Sequence, residues 1–500
     1  MENLPNSTSK ASFETKLPAR LLISAAVFGV LFSYLFGRQG IGLNMLLFVL
    51  AIYALAFINK DLFIVKRFRE EPVMYLVSIP VVFLGIMFFT GSTDLNVLSV
   101  LVILFVMFVQ YIVLSRVALH SWGQPAFFLD LFFGALNRVV IGIGSFVAGA
   151  VNAIFRNSKS HRKGAVFGVL AGLALLLLIV PLLVTADANM AARFEDFFYN
   201  IHFGDIFLYG FLFLLGASLT AGMVANAKRE NLTGMRTAIK NEGKRPIESV
   251  TTSVALTMVS VVYVLFAAIQ FGYFFQPLDT LRSVLGLTSA AYAVRGFGEL
   301  MFITCLNFIL LGLAMRFTAK RGDEKPQPYL KLLHILLVAF NFVILASSHL
   351  RMQIYETSFG YTVPRFLSHS FMLLLVLLNL IMLLRIFTDK VKVMKWFAVT
   401  ALVYFCVITA INPEHYVAQR NIDRYETEGK IDTAYLFSLS GDGLIDACEF
   451  VAAHPEAYDA DAKQAASWAL DRSEWISGYG WQSLNLAEQR AYEKLQSLPD

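Results

Sequence analysis

LNVLSVLVILFVMFVQYIVL, residues 95–114, runs for twenty positions without a charged side chain. A helix rises about 1.5 Å per residue, so about 20 apolar residues cross the roughly 30 Å of hydrocarbon in a bilayer. The stretch reads as one membrane crossing. Outward from it, comparable runs fall at about 19–36, 41–58, 73–90, 165–184, 205–225, 250–271, 299–316, 329–349, 366–385 and 396–412. With 95–114 this predicts about eleven spans.

Composition agrees. Of 500 residues, 57% are hydrophobic and only 15% charged, with 45 Phe and a mean hydropathy of +0.63. Soluble domains carry nearer 25% charged residues, and a soluble core has no room for this much apolar surface. The first run lacks a small-residue cleavage site, so it reads as a retained span. Cys305, Cys406 and Cys448 offer no disulfide framework and read as small packing residues.

Lys and Arg accumulate on the cytoplasmic side of membrane proteins. The N-terminal segment and every second connector carry 28 of them, and the intervening connectors carry 6. This alternation predicts a cytoplasmic N-terminus and an extracytoplasmic C-terminus. Within 115–164 the string FFLDLFFGALNRVVIGIGSFVAGAVNAIF is apolar but interrupted by Asp130, Asn137 and Arg138. A further span there would invert every later connector, so the segment reads as interfacial or re-entrant. Residues 413–500 differ in kind, with 16 Asp and Glu against 7 Lys and Arg. Apolar residues recur at helical spacing there, as in AEQRAYEKLQSL, and Trp468, Trp475 and Trp481 could anchor a small core or touch headgroups. The fold expected is an all-α, polytopic helical membrane protein with a small C-terminal helical extramembrane domain. Its parts are a polar cytoplasmic segment at 1–18, a transmembrane domain at 19–412 and an acidic extracytoplasmic domain of four or five helices at 413–500.

Few strings carry chemistry. SLSGDGLIDACEF, 438–450, places Asp442, Gly443, Ile445, Asp446 and Glu449 at positions 5, 6, 8, 9 and 12 of a calcium loop, but Ser438 and Ser440 occupy positions 1 and 3. Without anionic ligands at those two places it reads as a turn between helices. In the ninth span His334, Asn341 and Ser348 lie seven residues apart and Tyr355 continues the series, giving a polar stripe on one helix face. Such a stripe either lines a path or glues helices together, and with no charged residue central to the span gluing is the simpler reading. The outer ends of spans seven to ten gather Arg295, Glu299, Arg351, Glu356 and Arg365. These either pair among themselves or leave arginines free for a lipid phosphate or a tail carboxylate. HExxH, Walker A, GxSxG and CxxC patterns are absent. The sequence therefore predicts no catalytic residue, metal ligand or cofactor site, and no nucleic-acid partner.

GIGLN at 40–44, SSHLRMQIYETSFGYTVPR, NPEHYVAQRNIDRYETEGKIDTAYLFSLS and the closing WQSLNLAEQRAYEKL together resemble the bacterial multi-pass membrane proteins of domain-of-unknown-function family 4173, with relatives in family 4153. The resemblance covers most of the chain. Its motifs are met by Arg351, Tyr355, Gly360, Thr362 and Arg365, by Asn412 and Pro413, and by Asn421, Arg424, Asp432, Tyr435, Leu436, Leu439, Ser440 and Asp442. The chain departs where the family reads Ser-x-Asp-Ala, since Gly443 follows Asp442. The resemblance implies a bacterial plasma-membrane location and supplies no activity or catalytic residue.

Three functional expectations follow. The first is a non-enzymatic binding or scaffolding protein whose acidic tail packs on the arginine-rich outer loops and meets an envelope protein or anionic lipid, with membrane lipids as its surroundings. The second is a transporter or flippase with its path along His334 and Asn341. The third is an outer-leaflet lipid-modifying enzyme with Glu299 or Glu356 as base.

Overall fold

The computed structural model describes residues 19–59, 72–91, 95–114, 249–274, 289–318 and 328–498, with short pieces between 120 and 131 and between 205 and 220. The side chains of 269–297, of Glu299 and of a few other residues fall outside that description. The described residues are helical throughout their length apart from turns. Ten membrane-domain helices can be followed: α1 (Ala19–Phe36), α2 (Leu43–Ile58), α3 (Pro72–Leu76), α4 (Ser78–Thr90), α5 (Asn96–Leu114), α6 (Leu208–Ala217), α7 (Ser249–Phe274), α8 (Ser289–Phe317), α9 (Pro328–Phe359) and α10 (Val363–Phe387). An eleventh, α11 (Val393–Ile411), leads to the tail. Among the described residues seven helical stretches are long and apolar enough to cross a membrane, and Leu43–Ile58, Leu208–Ala217 and Leu300–Arg316 are shorter apolar helices. Each predicted span coincides with one of these except 165–184, which lies outside the described residues, as does most of 115–164.

The outer surface confirms the solvent. On α7, Val250, Val254, Met258, Val261 and Leu265 are all more than half exposed, a continuous apolar face of the kind that water does not tolerate. In lipid every backbone N–H and C=O must be satisfied within the protein, and helices do this segment by segment. The chain is an integral membrane protein. Its interior falls into clusters that join α1, α2, α4 and α5 on one side and α7 to α10 on the other, with Phe405 and Cys406 of α11 packed into the first.

The side chains of α9 resolve the predicted stripe into separate tasks. Tyr263 of α7 donates to Asn307 of α8 at 2.6 Å, Asn307 to Asn341 of α9 at 2.7 Å and Asn341 to Asn379 of α10 at 3.2 Å. Asn379 then donates to the Val338 carbonyl at 3.0 Å. Because a carbonyl can only accept, this last bond fixes the Asn379 amide, which in turn fixes each preceding amide. Four helices are thus tied by one head-to-tail chain whose three asparagines are at most 1% exposed. Ser348 donates to the Ile344 carbonyl of its own helix, and His334 is buried lower on α9. These residues do not join into a line along the helix. A smaller counterpart, unmarked in the sequence, holds α2, α3, α4 and α5: Gln110 donates to the Met74 carbonyl and Ser78 hydroxyl and accepts from Tyr53.

Asn341→Ala removes the middle of the chain and leaves Asn307 Nδ2 and Asn379 Oδ1 unpaired. Polar contacts between membrane helices are worth about 0.6 kcal/mol on average, and an orphaned buried amide costs about 1–3 kcal/mol. The variant is expected to unfold earlier in a denaturing-detergent titration by about 1–2 kcal/mol, with no change in tail protease resistance. A midpoint equal to the wild type would remove the network's structural role.

Candidate functional site: the tail-docking interface

The tail comprises α12 (Pro413–Glu428), α13 (Thr433–Ser438), α14 (Gly441–Ala453), α15 (Ala460–Ser477) and α16 (Leu486–Gln496). Its core of Val417, Leu436, Phe437, Leu444, Ala447, Cys448 and Val451 includes Val363 from the start of α10. Burial pushes the Cys448 thiol up to about 12, as befits a packing residue. The three tail tryptophans contribute nothing to this core, being 65%, 68% and 53% exposed at 468, 475 and 481.

The calcium-like string is helix. The turn lies at Leu439 and Ser440, and α14 then carries Asp442, Asp446 and Glu449, each with a partner. Asp442 accepts from Asn412 at 2.7 Å and meets Arg490 at 3.5 Å, and Glu449 pairs with Lys494 at 3.1 Å. Asp446 faces His415 at 2.7 Å and accepts from Gln419 at 2.9 Å. Burial raises the Asp446 carboxyl above its usual range, opposed by the Gln419 bond and the His415 charge. A Cβ at Gly443 would sit 3.0 Å from Glu414, itself fully buried and bonded to Ser440 at 2.6 Å.

Two clasps hold this domain to the bundle. The first surrounds the turn between α9 and α10. The predicted outer cluster is not in a loop: α9 continues through Arg351, Tyr355 and Glu356 to Phe359, and only 360–362 leave the helix. Gly360 ends it with φ +81°, and a Cβ there would fall 2.8 Å from Arg424 Nη1. Asn421 of α12 pairs with Tyr361 as another backbone would, accepting from its N–H at 3.0 Å and donating to its carbonyl at 2.8 Å. Tyr435 accepts from the Val363 N–H at 3.0 Å, and Arg420 lies over the Tyr361 ring at 5.1 Å. Arg365 serves its own turn, donating to the Gly360 carbonyl while its guanidinium stacks on Tyr355 at 4.0 Å. The expected grip of an outer arginine on a tail carboxylate is therefore replaced, for Arg365, by tail polar groups gripping the backbone of the turn. Arg351 is half-buried on α9, and the side chains of Arg295 and Glu299 lie outside the described residues.

Glu356 pairs with His369 of α10 at 3.0 Å, and His369 Nδ1 faces His349 Nδ1 at 3.1 Å. Both histidines escaped the sequence reading: His349, in SSHLR, lies two turns before Glu356 on α9, whereas His369, in LSHSF, lies on α10 and is brought to Glu356 only by the packing of the two helices. His369 thus has one ring nitrogen toward the carboxylate and the other toward His349, the donor in the His–His contact being set by the tautomers. Carboxylate and two imidazoles form one contiguous polar group at the tail end of the bundle.

The second clasp joins GIGLN to WQSLN. Asn44, fully buried, donates to the Leu35 and Gly40 carbonyls and accepts from the Gly42 N–H, which folds the connector between α1 and α2 tightly. The Leu43 N–H then donates to the Leu484 carbonyl at 2.9 Å, and Gln39 accepts from the Gly480 N–H at 2.8 Å. Gly42 is required by proximity, since a Cβ would lie 2.3 Å from the Ser483 carbonyl oxygen. Asn485 uses its whole side chain: Oδ1 caps α16 at Ala487 and Glu488, and Nδ2 donates to the Phe88 and Gly91 carbonyls at the end of α4. The strings that gave the resemblance its ends are thus two halves of one latch.

The profile of the family described as Domain of unknown function (DUF4153) matches residues 78–446. The chain belongs to this family. The expected kinship is met on the 4153 side of the pair of relatives, and the first clasp lies within the matched stretch while GIGLN and WQSLN lie outside it. No curated protein and no solved structure matches the chain.

Gly42→Ala forces the Ser483 backbone away and is expected to release the second clasp, and Asn485→Ala removes a helix cap worth about 1 kcal/mol along with two bonds to α4. Both variants should show faster limited proteolysis between α15 and α16 in intact membranes, Gly42→Ala more strongly. Proteolysis at the wild-type rate in both would show that the first clasp alone carries docking.

Proposed function

We propose that this is a plasma-membrane binding or scaffolding protein, cytoplasmic at its N-terminus and extracytoplasmic at its C-terminus, whose tail is held on the outer face as a fixed recognition module for an envelope component. One observation carries the reading: the tail is clasped at independent points to connectors that are poor in Lys and Arg. Residues 37–42, 88–91 and 357–363 all meet it. At the opposite end of the bundle, among the described residues, Lys395 lies over Trp122 at 4.1 Å and Lys331 over Phe387 at 4.6 Å. The chain stands at that basic end by Trp122 and at the tail end by Asp205, which pairs with Arg38. For the described connectors the charge rule and the packing agree on two groups, which supports the orientation. The asparagine chain favours helix gluing over a transport path, because Asn341 spends its amide on neighbouring helices.

A phosphatase fused after Asp500 is expected to be active, as it is only outside the cytoplasm. Photo-crosslinking residues at the exposed positions Glu426 and Glu493 should give discrete adducts in intact cells. An inactive phosphatase overturns the orientation, and no adduct at either position overturns the recognition role.

A second reading is favoured by the Glu356, His369 and His349 group, which pairs the carboxylate with imidazole rather than arginine and so leaves it suited to acid–base work at the outer leaflet. In that case Glu356→Gln changes the lipid profile of cells overproducing the protein, measured by mass spectrometry, while tail protease resistance stays at the wild-type level. Identical lipid profiles would sink it.

A further inference from the structure

A folded domain normally covers most of each indole it carries. Here the tail leaves Trp468, Trp475 and Trp481 more than half exposed while filling its core with Leu, Val, Phe and Ala. Their placement gives the reason. On α1 the side chains Ile23, Val27, Val30 and Tyr34 recur at helical spacing and are 64%, 62%, 59% and 53% exposed, which marks the stripe of α1 turned to lipid. Tyr34 ends that stripe one turn before the connector, and its ring meets Trp481 at 6.3 Å. Tyr479 lies against Gly40 of the same connector, 3.2 Å from where a Cβ would be, and stacks edge-on with Trp475 at 4.9 Å. Trp468 stands two turns back from Trp475 on the same face of α15.

We propose that the edge of the tail formed by α15 and the Gly480–Ser483 turn rests in the membrane surface, with Trp475 and Trp481 at the boundary of headgroups and acyl chains. The occupant of this patch is lipid because the patch is continuous, ring to ring, with a stripe already facing lipid. Indoles favour that boundary, where the ring is shielded and the N–H stays hydrated. The tail's net charge of −9, from 16 acidic and 7 basic residues at 413–500, argues against attraction to anionic lipid, so the seat is aromatic rather than electrostatic. The inference concerns the bundle and the tail alone and does not depend on which side of the membrane is outside.

The test uses the full chain in phosphatidylcholine vesicles, with Trp122, Trp396 and all but one of the tail tryptophans changed to Phe. Variants retaining Trp475 or Trp481 are expected to emit at shorter wavelength than indole in water. They should lose most of that emission to lipids brominated near the headgroup end of the chain, lose less to lipids brominated near its terminus, and resist aqueous iodide. Strong iodide quenching with no bromolipid quenching at both positions overturns the proposal, as does an emission change in either variant that appears only when soluble saccharide polymer is added. The double variant Trp475→Phe/Trp481→Phe, which keeps Trp122, Trp396 and Trp468, should lose part of the wild-type quenching by shallow bromolipid, and undiminished quenching would place the contact elsewhere.

Discussion

Lipid offers no hydrogen-bond partner, and the rest of this structure follows from that constraint. Polar side chains inside the bundle do best with protein partners, and two networks among the described residues supply them. The asparagine chain through α7, α8, α9 and α10 ends on a backbone carbonyl, and Gln110 closes a similar knot on the other side. Such networks specify which helices are neighbours, a choice that apolar packing in lipid leaves nearly degenerate. Chemistry with a partner to spare is then pushed to the ends of the helices, and the tail end is where it gathers.

The span positions were legible because hydrocarbon thickness imposes a length on the sequence itself, as in 95–114 or 366–385. Helix ends were less so. Hydropathy reports where α9 leaves the apolar layer, near residue 349, whereas the helix stops only at Gly360, where a left-handed φ is needed. Arg351, Tyr355 and Glu356 consequently lie on a helix that projects past the hydrocarbon, and Glu356 reaches a histidine on α10 that no spacing rule along one helix could have named. The stripe of His334, Asn341 and Ser348 shows the converse. Its residues share a heptad spacing, yet among the described residues Asn341 is the member that joins a network, because the partners Asn307 and Asn379 are fixed by the packing of other helices.

The docking interface was visible as words before it had a meaning. GIGLN and WQSLN stand about 440 residues apart, and only the fold puts the Leu43 N–H on the Leu484 carbonyl. Asn421 likewise needs an acceptor and a donor on one residue of a turn, which Tyr361 provides. In each clasp the tail reads backbone rather than side-chain charge. This explains why an acidic domain sits firmly on a bundle without drawing on Arg365, whose guanidinium is already spent on the Gly360 carbonyl and the Tyr355 ring.

If charge does not hold the tail, the acidic excess is left to act elsewhere. Several of its carboxylates are internal fittings: Glu414 on Ser440, Asp446 between His415 and Gln419, Asp442 on Asn412 at the joint itself. Others lie on exposed faces of α12, α15 and α16, as at Glu426, Asp461 and Glu493. Exposed acidic groups close to a bilayer repel anionic headgroups and one another, which disfavours flattening of the domain onto the membrane. Backbone clasps fix the tail's position, aromatic rings set its depth at one edge, and the carboxylates keep its other faces in water. A domain so placed presents a constant surface at a constant height above the bilayer, which is the physical content of a recognition role.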